Sequence, residues 1–237
     1  MEENQVNCPK ENQISGTAQL SGSTGHPPGS RIAALLANPL FDKIMAVLAI
    51  LPFILTAVLF MVMGTMGVVQ VAMIVQWLVV AVTFLSRRTA VRITTNPWFW
   101  LLAFVATYWL WLTAVITAKG TALIPHWCSV VLALLGLAIA FYARLSLGRN
   151  IGLVPAQRRL VTTGAYGLVR HPIYTAIFVN YLAFVLDAYS PGNVLIAVLG
   201  VFWYVIKSIV EERFLAADPE YADYMQRVRW RWLPWIV

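Results

Sequence analysis

The sequence predicts an all-α fold: a polytopic transmembrane helix bundle of about six spans (five to six), with both termini cytoplasmic. Three observations lead there. First, 60% of the 237 residues are hydrophobic and only 11% are charged, against roughly 25% charged in a soluble domain. Second, mean hydropathy is +0.73, and several uncharged stretches approach the ~20 residues that cross a bilayer. Third, the basic residues fall between apolar runs rather than in one cluster interleaved with aromatics. The net charge of +7 therefore fits anionic lipid headgroups, topology and an anionic ligand better than nucleic acid.

Taken in order, residues 1–30 are rich in Ser, Gly, Asn, Gln and Pro. They read as a disordered polar tail without a signal-peptide pattern. Apolar spans follow at about 43–64, 67–86, 97–118, 123–146, 172–189 and 193–210. Pro52 lies inside the first and is expected to kink it. "GTMG" at 64–67, "AKGTA" at 118–122 and "YSPGN" at 189–193 are sharp connections. Residues 31–146 form an N-terminal set of helices. Residues 147–237 form a region with a polar loop, a helical hairpin and a basic tail.

Charge gives the orientation. Lys10, Arg31 and Lys43 precede span one, and Arg87, Arg88 and Arg92 follow span two. Arg144, Arg149, Arg158, Arg159 and Arg170 follow span four. Lys207, Arg213, Arg227, Arg229 and Arg231 lie at or after the end of span six. Only Lys119 falls on the opposite side, so the 147–171 loop is expected to be cytoplasmic.

Span three holds two aromatic clusters in "WFWLLAFVATYWLWL", 98–112. A helix rises only about 20 Å from Trp98 to Trp111, less than the ~30 Å hydrocarbon core. One cluster must lie below the headgroups, either packed against neighbours or lining a slot for an apolar substrate. The two cysteines (Cys8, Cys128) and three histidines (His26, His126, His171) are scattered. They form neither a disulfide framework nor a zinc pattern.

Candidate chemistry concentrates after residue 146. The loop reads "LGRNIGLVPAQRRLVTTGAYGLVRHPIY" and span six ends in "IKSIVEERFL". Lys207 and Glu211 share a helix face at i, i+4, and Glu212 is next round. At a helix end such carboxylates can simply reach water and pair with arginines. His171 and Tyr174 can likewise be interfacial decoration around a helix that Pro172 starts. Together, Arg170, His171, Tyr174 and the carboxylates of another helix could hold a zwitterionic ligand.

"LVTTGAYGLVRHPIY" at 160–174, followed by Glu211-Glu212, resembles the isoprenylcysteine carboxyl methyltransferase family. The matching features are Arg170-His171-Pro172-Ile173-Tyr174, a membrane hairpin, the Glu pair, and a tail with Tyr221, Tyr224, Val228 and Pro234. The resemblance covers roughly residues 140–237. It implies an integral-membrane, multi-pass enzyme using S-adenosylmethionine in a cytoplasm-facing pocket, with a lipophilic or prenylated acceptor from the lipid phase. No metal is implied. By position, Leu160, Val161 and Tyr166 would line the cofactor, and His171, Pro172, Ile173 and Tyr174 would clamp it. Glu211 would face it, with Arg158 and Arg159 nearby.

Arg170, Lys207, Glu211 and Glu212 would carry the catalytic work. A carboxylate acceptor is already ionised and needs no general base, so the protein must supply alignment and exclusion of water. Lys207 would orient the acceptor, Arg170 and His171 would take an anionic end, and Glu211 would take an amino, hydroxyl or sulfonium partner. The chain departs from the family at Ala176, where many relatives have Gly. It has Lys207 in place of a substrate-contacting Arg, and "ADPEY" is a shortened approach to the tail. Three rival readings stand beside this one: methyl transfer to a phospholipid amine or small thiol, with Glu211 or Glu212 as base; a sterol or enoyl reductase using a nicotinamide cofactor, where Ile173 replaces the usual Asn; and a transporter or scaffold.

Overall fold

A computed structural model describes residues 38–62, 64, 68–88, 90, 92–116, 120–152 and 154–235. The polar tail at 1–30 and Lys119 lie outside the described residues. Among the described residues there are seven α-helices: α1 (Pro39–Val62), α2 (Val68–Leu85), α3 (Pro97–Ile116), α4 (His126–Leu147), α5 (Pro172–Asp187), α6 (Pro191–Leu215) and the short α7 (Pro219–Arg227). The first six stand at the six apolar runs. A two-residue antiparallel pair, β1 (Arg92–Ile93) with β2 (Ala156–Gln157), joins the α2–α3 connector to the loop after α4. The all-helical expectation did not include this pairing.

Proline sets most of the starts. Pro39, Pro97, Pro191 and Pro219 each open a helix, where the missing N–H costs nothing and φ is already helical. The residue before each is a side-chain cap. Asn38 accepts from Leu40 N–H at 2.8 Å, and Asn96 from Trp98 N–H at 3.0 Å. Ser190 accepts from Asn193 N–H and Asp218 from Glu220 N–H. Helix α5 departs from this pattern: Pro172 opens it, but His171 makes no side-chain cap bond.

Pro52 sits within α1, and the helix continues through it. A proline cannot donate to the carbonyl four residues back, here that of Leu48. The Tyr108 hydroxyl of α3 donates to that carbonyl at 3.5 Å. Thr56 donates back to the Pro52 carbonyl at 2.8 Å.

Among the described residues, two helical stretches, His126–Asn150 and Pro191–Leu215, are long and apolar enough to cross a membrane, and only a minority of their residues are buried. The outward faces are apolar. Val71, Val75, Leu78, Val82 and Leu85 are exposed along α2, and Leu48, Leu51, Leu55 and Leu59 along α1. Val131, Leu135, Tyr142 and Leu145 on α4 and Leu195, Val198 and Phe202 on α6 repeat the pattern. Stripes at three- and four-residue spacing that face outward suit hydrocarbon rather than water.

Inside, small residues let the helices approach. Ala103, Ala106, Ala140, Ala143, Ala176 and Ala197 are buried. A Cβ on Gly200 of α6 would run into the Tyr181 hydroxyl of α5, and one on Gly136 of α4 would meet Asn180 of α5 at 2.7 Å. The main cluster gathers Ala106, Ile177, Tyr181, Ala197 and Tyr204 from α3, α5 and α6. The aromatics of α3 are absorbed by packing. Trp100, Phe104 and Tyr108 stack in series, and Trp109 meets Trp203 and donates to the Ile196 carbonyl at 2.9 Å. Trp98 is exposed, and the Trp111 side chain lies outside the described residues.

Candidate active site

The 148–171 loop is fastened before it reaches the site. Arg88 N–H donates to the Arg149 carbonyl at 2.8 Å and Thr94 N–H to that of Pro155 at 3.1 Å. Arg158 donates through Nε to the Arg88 carbonyl at 3.0 Å, so its geometry ties down the connector. At the far end of the loop, Gly164 takes φ +62°, a left-handed conformation that favours glycine. A Cβ there would also meet Ser146 Oγ at 2.5 Å. Ser146 Oγ accepts from Ala165 N–H at 3.3 Å, and the Tyr166 carbonyl accepts from Tyr224 OH at 2.8 Å. Burial raises the Tyr166, Tyr221 and Tyr224 phenols above their ordinary value, so all three remain neutral at physiological pH.

The C-terminal tail folds back over the start of α5. Arg170 N–H donates to the Trp230 carbonyl and His171 N–H to the Arg231 carbonyl, both at 2.9 Å. Thr175 Oγ1 donates to the Trp232 carbonyl. The tail thus lies beside residues 170–171 like a short strand.

Under it sits a buried ionic cluster centred on Glu212, whose side chain is 3% exposed. Arg170 Nε donates to Glu212 Oε1 at 2.7 Å. Arg231 donates to Oε2 through Nε at 2.9 Å, with Nη2 at 2.8 Å. His171 Nε2 lies 3.1 Å from Oε1. Arg170 Nη1 donates onward to the carbonyls of Val228 at 2.9 Å and Arg229 at 3.0 Å. This explains the missing cap: the His171 imidazole is turned to a carboxylate of α6.

Glu211 faces the other way. Tyr174 OH donates to its Oε2 at 2.7 Å, and His171 Nδ1 lies 4.0 Å from the same oxygen. Lys207 Nζ is 3.9 Å from Oε1 and donates to Thr107 Oγ1 of α3 at 3.5 Å. It also sits over the rings of Tyr174 and Tyr204, at 5.6 and 5.9 Å. The Tyr174 ring lies parallel to His171 at 5.1 Å and tilts against Tyr204 at 5.0 Å.

The sequence ended span six near residue 210, which would leave the carboxylates free to reach water. In the structure α6 runs to Leu215, and Lys207 and Glu212 are buried within it. The charges are tolerated because each carboxylate is matched to cations and donors from neighbouring segments.

Arg170, His171, Tyr174, Lys207, Glu211 and Glu212 therefore meet in one place. Pro172 is buried at the helix start, and Ile173 packs into the apolar cluster below. Tyr166 is electrostatically coupled to Glu211. Leu160 and Val161 are half-buried in the loop, and Arg159 is exposed there. Arg231, Thr107 and Tyr204 complete the site without having been singled out. Arg231 had been counted only as a topology charge, and no local spacing links it to Glu212.

Residues 124–218 match the family model described as Phospholipid methyltransferase. That family belongs to the same superfamily of membrane methyltransferases as the isoprenylcysteine carboxyl methyltransferases. The matched stretch takes in α4, the fastened loop, α5 and α6, and so every residue of the ionic cluster except those of the tail and Thr107. The match and the two apolar stretches support an integral-membrane methyltransferase. No curated protein matches the chain.

Proposed function

We propose that the chain is a multi-pass membrane methyltransferase that uses S-adenosylmethionine and methylates the polar head of a lipophilic acceptor. The observation that supports this best is the division of the Glu pair. Glu212 is saturated by Arg170, Arg231 and His171. Glu211, partly exposed, keeps one hydrogen bond from Tyr174 and looser approaches from Lys207 at 3.9 Å and His171 at 4.0 Å. One carboxylate holds the architecture, and the other is left for a ligand.

The donor set fits the cofactor. A carboxylate, a phenol and flat aromatic faces are what an amino acid joined to a nucleoside requires. Glu211, Tyr174, His171, Tyr166 and the half-buried Leu160 and Val161 would hold it, with Pro172 and Ile173 fixing the start of α5 beneath them. S-adenosylmethionine supplies an electrophilic methyl group. The chain's own work is to bind, align and exclude water. Arg170 is a positioning residue in this scheme, because its guanidinium is committed to Glu212 and to tail carbonyls.

The matched family favours a phospholipid amine as acceptor. Glu211 would then accept the proton that the amine must lose. The second acceptor reading, the carboxylate of an isoprenylated cysteine, is favoured by the ordered resemblance over 160–174 and 211–234, with Lys207 orienting the carboxylate. Both place the reaction on the cytoplasmic side, where the basic segments gather. Detergent-purified protein supplied with methyl-labelled S-adenosylmethionine should label phosphatidylethanolamine or a farnesyl-cysteine analogue in preference to a small water-soluble thiol. Preference for the thiol would overturn the lipophilic acceptor. Binding of reduced nicotinamide cofactor instead of S-adenosylmethionine would overturn the methyltransferase.

A further inference from the structure

One half-buried cation in the same region is incompletely matched. Arg144 lies in the last turn of α4. Its Nε and Nη1 are sealed from solvent and have no hydrogen-bond partner among the described residues. It is electrostatically coupled to Tyr166 and Tyr204, the two phenols also coupled to Glu211. Arg144 thus adds its charge beside Tyr166 and Tyr204, on the flank of the Glu211 cluster.

The charge balance there is uneven. Among the described residues, four basic side chains, Arg170, Arg231, Lys207 and Arg144, accompany two carboxylates in this region. The first three are paired with Glu212 or Glu211. The partial negative field at a helix C terminus favours a cation at Arg144, but these two guanidinium nitrogens take no carbonyl. A buried charge is stable only when paired and hydrogen-bonded, and a guanidinium presents a planar fork matched to phosphate or carboxylate oxygens. Arg144 lies about 4.5 Å along the axis from the helix end at Leu147.

We propose that Arg144 is a binding residue for an oxyanion of a bound ligand, the phosphate of a lipid headgroup or the carboxylate of the cofactor. The proposal rests on the reading that the Glu211 cluster is the methyl-transfer site.

The test compares wild type with Arg144→Gln, Arg144→Lys and the exposed-residue control Arg213→Gln. Binding is measured for S-adenosylhomocysteine against decarboxylated S-adenosylmethionine, and for labelled phosphatidylethanolamine against sphingosine, an amine lipid without phosphate. Arg144→Gln should weaken one oxyanion-bearing ligand about 10- to 100-fold and leave its oxyanion-free counterpart unchanged. Loss on the homocysteine pair assigns the cofactor carboxylate, and loss on the lipid pair assigns the phosphate. Should Arg144→Gln not fold, Arg144→Lys keeps the charge and should show a smaller loss with the same selectivity. Equal loss on both members of each pair, or no loss on either, overturns the proposal. If wild type binds no cofactor ligand, the methyltransferase reading falls, and the lipid pair still decides whether Arg144 takes a phosphate.

Discussion

Glu211 and Glu212 are adjacent in sequence and opposite in circumstance. Glu212 is buried beneath two arginines and a histidine, so removing it strands positive charge in a sealed site. Glu212→Ala should destabilise the protein by about 3–5 kcal/mol, seen as a lower melting temperature in detergent. Glu211→Gln keeps the shape and loses the charge. It should melt near wild type while methyl transfer falls on the order of 100-fold. Equal melting losses in the two variants would contradict the division of labour. The sequence showed both carboxylates but not their difference. That difference depends on Arg231, 19 residues downstream of Glu212, and on which way each side chain leaves α6. The same holds for His171. Beside a helix-starting proline it looked like interfacial decoration, whereas the Asn, Ser and Asp caps of the other Pro-started helices show what decoration looks like in this chain.

At the scale of elements, the tail and the glycine contacts carry the consequences. The tail supplies the carbonyls of Val228 and Arg229 to Arg170 and those of Trp230 and Arg231 to the backbone of residues 170–171. A chain ending at residue 226 should therefore lose cofactor binding together with stability, measured by ligand binding and by melting. Retained binding would show that the tail is dispensable. On α6, Gly200→Ala would place a methyl into the Tyr181 ring and should cost about 1–3 kcal/mol, read as a fall in melting temperature. The six long helices were legible because their apolar runs stand out from polar connectors, and Asn-Pro or Ser-Pro marks the starts of α1, α3 and α6. Three features were not: α7, whose polar turns carry no apolar run, the end of α6 and the β1–β2 pairing. The end of α6 was obscured by charges that read as solvent-facing until their partners were known. The β1–β2 pairing was hidden because two-residue strands carry no periodicity.

At the scale of the molecule, apolar stripes on the outside and a polar cluster near one end describe a protein held in lipid with its chemistry at one face. The placement of basic residues predicts that face to be cytoplasmic. A single cysteine at Arg159 should react with an impermeant reagent only from the cytoplasmic side. One at Leu123, in a cysteine-free background, should react only from the other side. The membrane setting was readable from composition, whereas the chemistry needed the loop, α5, α6 and the tail to be brought together.

In the proposed function Glu211 is the ligand-facing carboxylate of an S-adenosylmethionine site. The most direct measurement is equilibrium binding of labelled S-adenosylmethionine to purified wild type and Glu211→Gln in detergent, with melting curves for both. Saturable wild-type binding that Glu211→Gln loses while remaining folded is the predicted result. No wild-type binding, or equal binding by the folded variant, would contradict it.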